Sequence, residues 1–201
     1  MRILKLIALA AVLSSAAPAL AYYTVQDTGD LLKPKEMRFG AEAQFITHGD
    51  TTGVNAIGRF DRGLNSDMNL RFEVGAGTTD MVAAAYVKWV PFPDFEKQPA
   101  VGFTVGGQYA HYNSHSEVAL RVIPFASKAF ETDIGMLTPY AALPFAFASY
   151  NGDNFVPVQL VLGSRYRSPD VKQCDFTAEL GFDIHQSPNS ITIGAIFPAF
   201  E

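Results

Sequence analysis

Residues 174–185, CDFTAELGFDIH, set Cys174, Phe176, Ala178, Leu180, Phe182 and Ile184 against Asp175, Thr177, Glu179, Gly181, Asp183 and His185. A period of two sustained over this length predicts a β-strand with one apolar and one acidic face. The pattern recurs. In 67–75, Met68, Leu70, Phe72 and Val74 alternate with Asn69, Arg71, Glu73 and Gly75; in 36–45, Met37, Phe39, Ala41, Ala43 and Phe45 alternate with Arg38, Gly40, Glu42 and Gln44. Further strands are predicted over 53–61, 81–90, 100–110, 117–125, 137–149, 155–166 and 190–197, making about ten strands of about ten residues each.

Between them lie HGDTT, GLNS, GTTD, PFPDFEKQP, HYNSHS, YNGDN, RSPDVKQ and QSPN, all rich in turn formers. Connections this short make successive strands antiparallel hairpin partners. One region resists the pattern. Pro124, Pro139, Pro144 and Pro157 each remove a donor from a strand ladder, so 124–157 is expected to carry bulges, and eight strands with an irregular insertion is the alternative to ten. The stretch SKAFETD offers one helical turn.

The amino end departs from the alternation. Arg2 and Lys5 frame an apolar run from Ile3 to Leu13, followed by Ala19-Leu20-Ala21, the layout of a cleaved secretory signal peptide over 1–21. A leader over 22–35, expected on the periplasmic side, then precedes a barrel over 36–201. Export with a single cysteine excludes an intramolecular disulfide; Cys174 is expected to be a small buried apolar group. A net charge of −5 without basic clusters argues against a nucleic-acid partner. The chain is 48% hydrophobic with 16 Phe, a large apolar content for one domain.

Alternation alone does not say which face meets solvent. Strand charges do. Arg38, Arg59, Arg71, Arg121 and Arg165 share strands with Glu42, Asp61, Glu73, Glu117, Asp175 and Glu179, and lysine appears among them once, as Lys88. The rigid guanidinium fork suits enclosed pairing with carboxylates, whereas a water-washed sheet is usually lysine-rich. The polar face is therefore predicted to line a packed lumen, with Arg38/Glu42 and Arg71/Glu73 as internal struts. Phe45, Trp89, Phe92, Phe95, Tyr109, Tyr112, Tyr150, Phe155, Tyr166 and Phe197 fall near strand ends, as interfacial girdles do. In these respects the chain resembles a small outer-membrane β-barrel protein of Gram-negative bacteria. The resemblance implies an all-β, up-and-down antiparallel transmembrane barrel, exported through the inner membrane and inserted by the barrel-assembly machinery among lipid and lipopolysaccharide. It further implies a structural role or a narrow ion or solute passage, without a cofactor.

Strand parity assigns His48, His111, His115 and His185 to one rim with Asp50, Asp80, Asp153 and Asp183. Such a mouth is a candidate for divalent cations, although no tight ligand spacing is present. Asp183 and His185, two apart on one face, are the candidate acid–base pair. They resemble the Asp-x-His pair of omptin proteases, a resemblance confined to these two residues. His111 and His115 near Ser114 and Ser116 make a lipid A deacylase a further alternative. A soluble, exported lipocalin-like barrel holding an apolar ligand shares the same strand period.

Overall fold

The computed structural model describes residues 24–48 and 52–201; the signal peptide read at 1–21 and the rim residue Asp50 lie outside them. Thirteen strand segments make one antiparallel sheet that closes where β1 (Met37–His48) pairs with β13 (Asn189–Ile196). In between run β2 (Gly53–Gly63), β3 (Met68–Gly77), β4 (Met81–Phe92), β5 (Ala100–Tyr112) and β6 (His115–Ser127). They continue as β7 (Phe130–Thr132), β8 (Gly135–Ala142), β9 (Phe145–Tyr150), β10 (Asp153–Phe155), β11 (Val158–Arg167) and β12 (Asp175–His185). Both β8 and β9 pair with β6, and β10 and β11 lie along β9 and β8. Each couple is thus one interrupted stave, and the barrel has ten staves, not eight.

The prolines explain the interruptions. The ladder breaks at Leu143-Pro144 and at Val156-Pro157. Proline cannot donate, but its carbonyl accepts: Ala146 N donates to Pro157 O at 3.1 Å, Gln159 N to Pro144 O at 3.0 Å and Leu143 N to Pro124 O at 3.0 Å. The sheet therefore bends there without losing its neighbours. At the next turn Asn151 and Gly152 both take positive φ, 52° and 94°, as a two-residue turn matched to strand twist requires. No helix occurs among the described residues, and Phe130–Thr132 forms a short ribbon with β8 in place of the predicted helical turn.

The barrel is inverted relative to a water-soluble one. Phe72, Phe176 and Phe182 are 44%, 44% and 43% exposed on the outer face, whereas Arg71 and Glu179 are each 2% exposed inside. Phe155 departs from the expected girdle: it points inward against Ala119, Ala146 and Ala148. Cys174 is half-buried just before β12 and not a core group. The barrel seam continues past β13, where Met37 N donates to Phe200 O at 2.7 Å and Phe200 N returns to Met37 O at 2.9 Å. The Phe200 ring stacks on Phe39 at 5.5 Å.

Candidate functional site: an occupied lumen

Strands alternate, so half of every stave's side chains must enter the lumen. Here they divide it into two walls. β4, β5, β6, β8 and β11 supply an apolar wall of Val90, Ala100, Ile123, Phe125, Tyr140, Ala142 and Val161. β1, β2, β3 and β12 supply charge: Arg38, Glu42, Arg59, Asp61, Arg71, Glu73, Asp175 and Glu179, all buried.

The space between these walls is filled by residues 24–32. The leader was expected outside the barrel, but Thr24, Val25, Gln26, Asp27 and Thr28 are all buried in it. Val25 packs into the apolar wall, with Leu31 alongside. On the charged side the leader is held mainly by strand side chains. Val25 N and Gln26 N donate to the Glu179 carboxylate at 3.1 and 2.7 Å, and Tyr140 Oη donates to the same group at 2.9 Å. Arg71 Nη1 donates to Val25 O at 3.1 Å, Arg59 Nη1 to Gln26 O at 3.1 Å and Lys88 Nζ to Asp30 O at 2.7 Å. Thr177 and Gln26 join side chains at 2.6 Å, and Gly29 N donates to Ser127 Oγ at 2.7 Å.

The two leader aspartates meet strand cations. Asp27 accepts from Arg71 Nη2 at 2.5 Å and from Thr104 Oγ1 at 2.7 Å, with Lys88 Nζ at 3.7 Å. Asp30 accepts from Arg38 at 2.8 Å and Arg165 at 2.7 Å. Burial alone would raise both carboxyls, but the facing cations outweigh it. Arg71, Lys88 and Arg59 hold Asp27 below its ordinary value, and Arg38, Arg165 and Lys88 hold Asp30 well below. Beyond Asp30 two cavities of about 650 and 340 Å³ open at the end of the barrel that bears the leader, and Asp30, Leu31, Arg165 and Arg167 line both.

The strand charges pair differently from the predicted struts. Arg38 bonds Asp61 at 3.4 Å rather than Glu42, and Glu42 lies 3.6 Å from Arg59. Arg71 takes Asp61 at 2.9 Å, while Glu73 is 3.9 Å away. Asp61 also accepts from Arg59 at 2.9 Å, so one carboxylate serves three guanidiniums. Arg165 and Arg167 share Asp175. Arg121 lies elsewhere in the lumen, bonded to Tyr86 Oη at 3.2 Å and Gln108 at 3.1 Å, and the buried Glu117 carboxylate has no hydrogen-bond partner among the described residues.

The other candidates do not assemble. Asp183 accepts from Ser187 N and Oγ, each at 3.0 Å, and so shapes the turn after β12 instead of orienting His185. Asp183 and His185 pair with the adjacent residues Gln159 and Val158 across a register shift, so the regular alternation that would put them on one face is interrupted there. His111 Nδ1 lies 3.1 Å from Ser116 Oγ, but that hydroxyl also contacts Tyr109 Oη at 2.9 Å, and no carboxylate meets the imidazole among the described residues. The His115 ring lies tilted against Tyr150, with centroids 5.5 Å apart. Among the described residues no three His, Cys, Asp or Glu side chains converge as metal ligands. Zinc titrations of the refolded chain and of a variant with His48, His111, His115 and His185 replaced by alanine should therefore superimpose. A sequence-specific isotherm lost in the variant would contradict this.

No family model matches the chain, and no curated protein does. Among solved structures, the COG4313 outer membrane channel from Pseudomonas putida F1 is similar at 8% identity and a TM-score of 0.50, over 89% of this chain and all of that one. A designed transmembrane β-barrel aligns at 15% identity and a TM-score of 0.39, over 85% of this chain and all of that one. At these identities the likeness is one of fold.

Proposed function

We propose that the chain is an outer-membrane barrel whose lumen is a narrow passage for small solutes, closed by its own leader. One observation carries this reading. A barrel of about eight strands is just wide enough for its own side chains to fill; this one is two staves wider, and a separate segment occupies the space between its two walls. The leader forms no strand with the sheet, being held mainly by side chains and one apolar contact face, so it can leave without unzipping the barrel. The outward belt of Phe, Val and Leu supports immersion in lipid, and lipopolysaccharide and the barrel-assembly machinery are the partners this reading proposes. The likeness to an outer membrane channel is compatible with this location. The role is non-enzymatic in this reading: Asp183 accepts from Ser187, and the Ser116 hydroxyl beside His111 also meets Tyr109.

Conductance of the refolded chain in planar bilayers, with the leader seated and unseated, tests the proposal. The seated chain should be silent, the unseated one should show discrete steps, and silence from both would remove the passage. The aspartates also predict an acid-resistant seal. A carboxyl whose folded value is lowered contributes docking free energy that is fully present above the unfolded value of 3.8 and is lost only as pH falls through the folded one. The wild-type chain should therefore stay closed from pH 8 to pH 5 as far as Asp27 and Asp30 govern it. Steps appearing between pH 7 and pH 5 would transfer control of the seal to other groups.

A further inference from the structure

Lys88 is the one lysine on the inward faces of the staves, and its surroundings are unusual for a buried ammonium. Its hydrogen bond goes to Asp30 O and its charge lies 3.7 Å from Asp27, both of them leader groups; the strands offer it the ring of Phe125 at 5.7 Å. Thr104 is fully buried, and its hydroxyl donates to Asp27. Arg71 turns Nη2 to Asp27 while Nε stays on Asp61. Side chains from three adjacent strands, β3, β4 and β5, thus form a cradle that is complete only with a carboxylate in it. An ammonium buried without a counter-charge is costly, so the cradle retains a demand for an anion whenever the leader is absent.

Other groups of the lumen engage the backbone on either side of that carboxylate. Glu179 accepts two successive backbone N–H groups, and Thr177 meets a side-chain amide. Arg59 and Arg71 donate to backbone carbonyls. Backbone donors, backbone acceptors and one carboxylate a residue further on together describe a short peptide with an acidic side chain. From this we infer that the lumen is a binding site for short acidic peptides, in which the leader is the resident occupant and Asp27 holds the carboxylate position. The inference rests on the reading of the leader as displaceable. It names the solute class that competes with the leader.

The test uses the full mature chain carrying Gly29→Leu, which unseats the leader, and as an independent version the chain carrying Asp27→Asn and Asp30→Asn, which leaves every strand residue in place. Two probes are added: the synthetic peptide TVQDTGDLL, identical to residues 24–32, and the same peptide with both aspartates replaced by asparagine. Binding is followed by calorimetry in detergent and by block of conductance. The acidic peptide should bind either variant about tenfold or more tightly than the neutral one, as charge-assisted bonds to a buried cradle require. Adding Lys88→Gln should shrink that ratio severalfold without abolishing it, because Arg71 still faces Asp27 and Arg38 and Arg165 still face Asp30; an unchanged ratio would remove Lys88 from the cradle. Equal binding of the two peptides by conducting variants would overturn the inference and leave the passage standing. Variants that neither conduct nor bind would remove the passage, and the inference with it.

Discussion

Gly29→Leu should convert a silent barrel into a conducting one. A Cβ built at Gly29 falls 2.1 Å from Ala100 Cβ, well inside van der Waals contact. Ala100 cannot retreat, because it is fully buried at the start of β5, paired with Ser127 of β6, and packs in the same cluster as Val25 and Phe125. The leader has to give way instead, losing the Gly29–Ser127 hydrogen bond as it does. Overpacking a tight site costs about 1–3 kcal/mol, and about 1.4 kcal/mol changes a population tenfold. Alanine at 29 should therefore raise the unseated fraction by about tenfold to a hundredfold, and leucine by more.

The substitution lies in the leader, so the barrel's own ladders and ion pairs remain, and heat-modifiable migration on a gel should match the wild type. A second variant guards the interpretation. Gly29→Ala combined with Ala100→Gly removes the clashing methyl and should restore the silent state. Conductance that persists in the double variant would mean that the wall, and not the fit of the leader, sets the seal.

The barrel itself was legible in the sequence because its rule is local. Alternation at Phe72 and Arg71, or at Phe176 and Glu179, fixes a strand and both of its faces without reference to any partner strand. The preference for arginine over lysine then indicated which face was enclosed, and the burial of Arg71 and Glu179 agrees. Pairing inside the lumen was not legible. Arg38 stands directly opposite Asp61 in the β1–β2 register and reaches it instead of Glu42, four residues along its own strand. The leader was missed for a related reason. TVQDTGDLL has no period and little bulk, and its docking depends on complementarity to groups as distant in the chain as Glu179 and Arg165. Two signals were present: an isolated Lys88 on the enclosed face, which called for a carboxylate, and a glycine between two aspartates in a segment otherwise without turns. Asp183 and His185 show the opposite failure, in which two suitable residues share a face and the nearby turn claims one of them.

The largest loss of stability should come from Asp61→Asn. The Asp61 carboxylate is the common acceptor for Arg38, Arg59 and Arg71, all of them buried. An amide at that position withdraws the negative charge and sets its own N–H donors against guanidinium N–H groups. Asp27 and Glu42 would still face Arg71 and Arg59, so part of the field survives. Removing one partner from a buried ion pair typically costs about 3–5 kcal/mol, because the remaining charge is left uncompensated. A loss of that order is expected here, read from urea unfolding in detergent micelles through the fluorescence of Trp89, the chain's one tryptophan. Glu36→Gln is the matched control: its partner Lys33 is an exposed side chain 3.6 Å away, and such a surface pair is worth less than about 1 kcal/mol. Equal effects of the two substitutions would mean that water reaches the Asp61 cluster, and that the lumen is a wet channel in the leader-bound state and not a packed one.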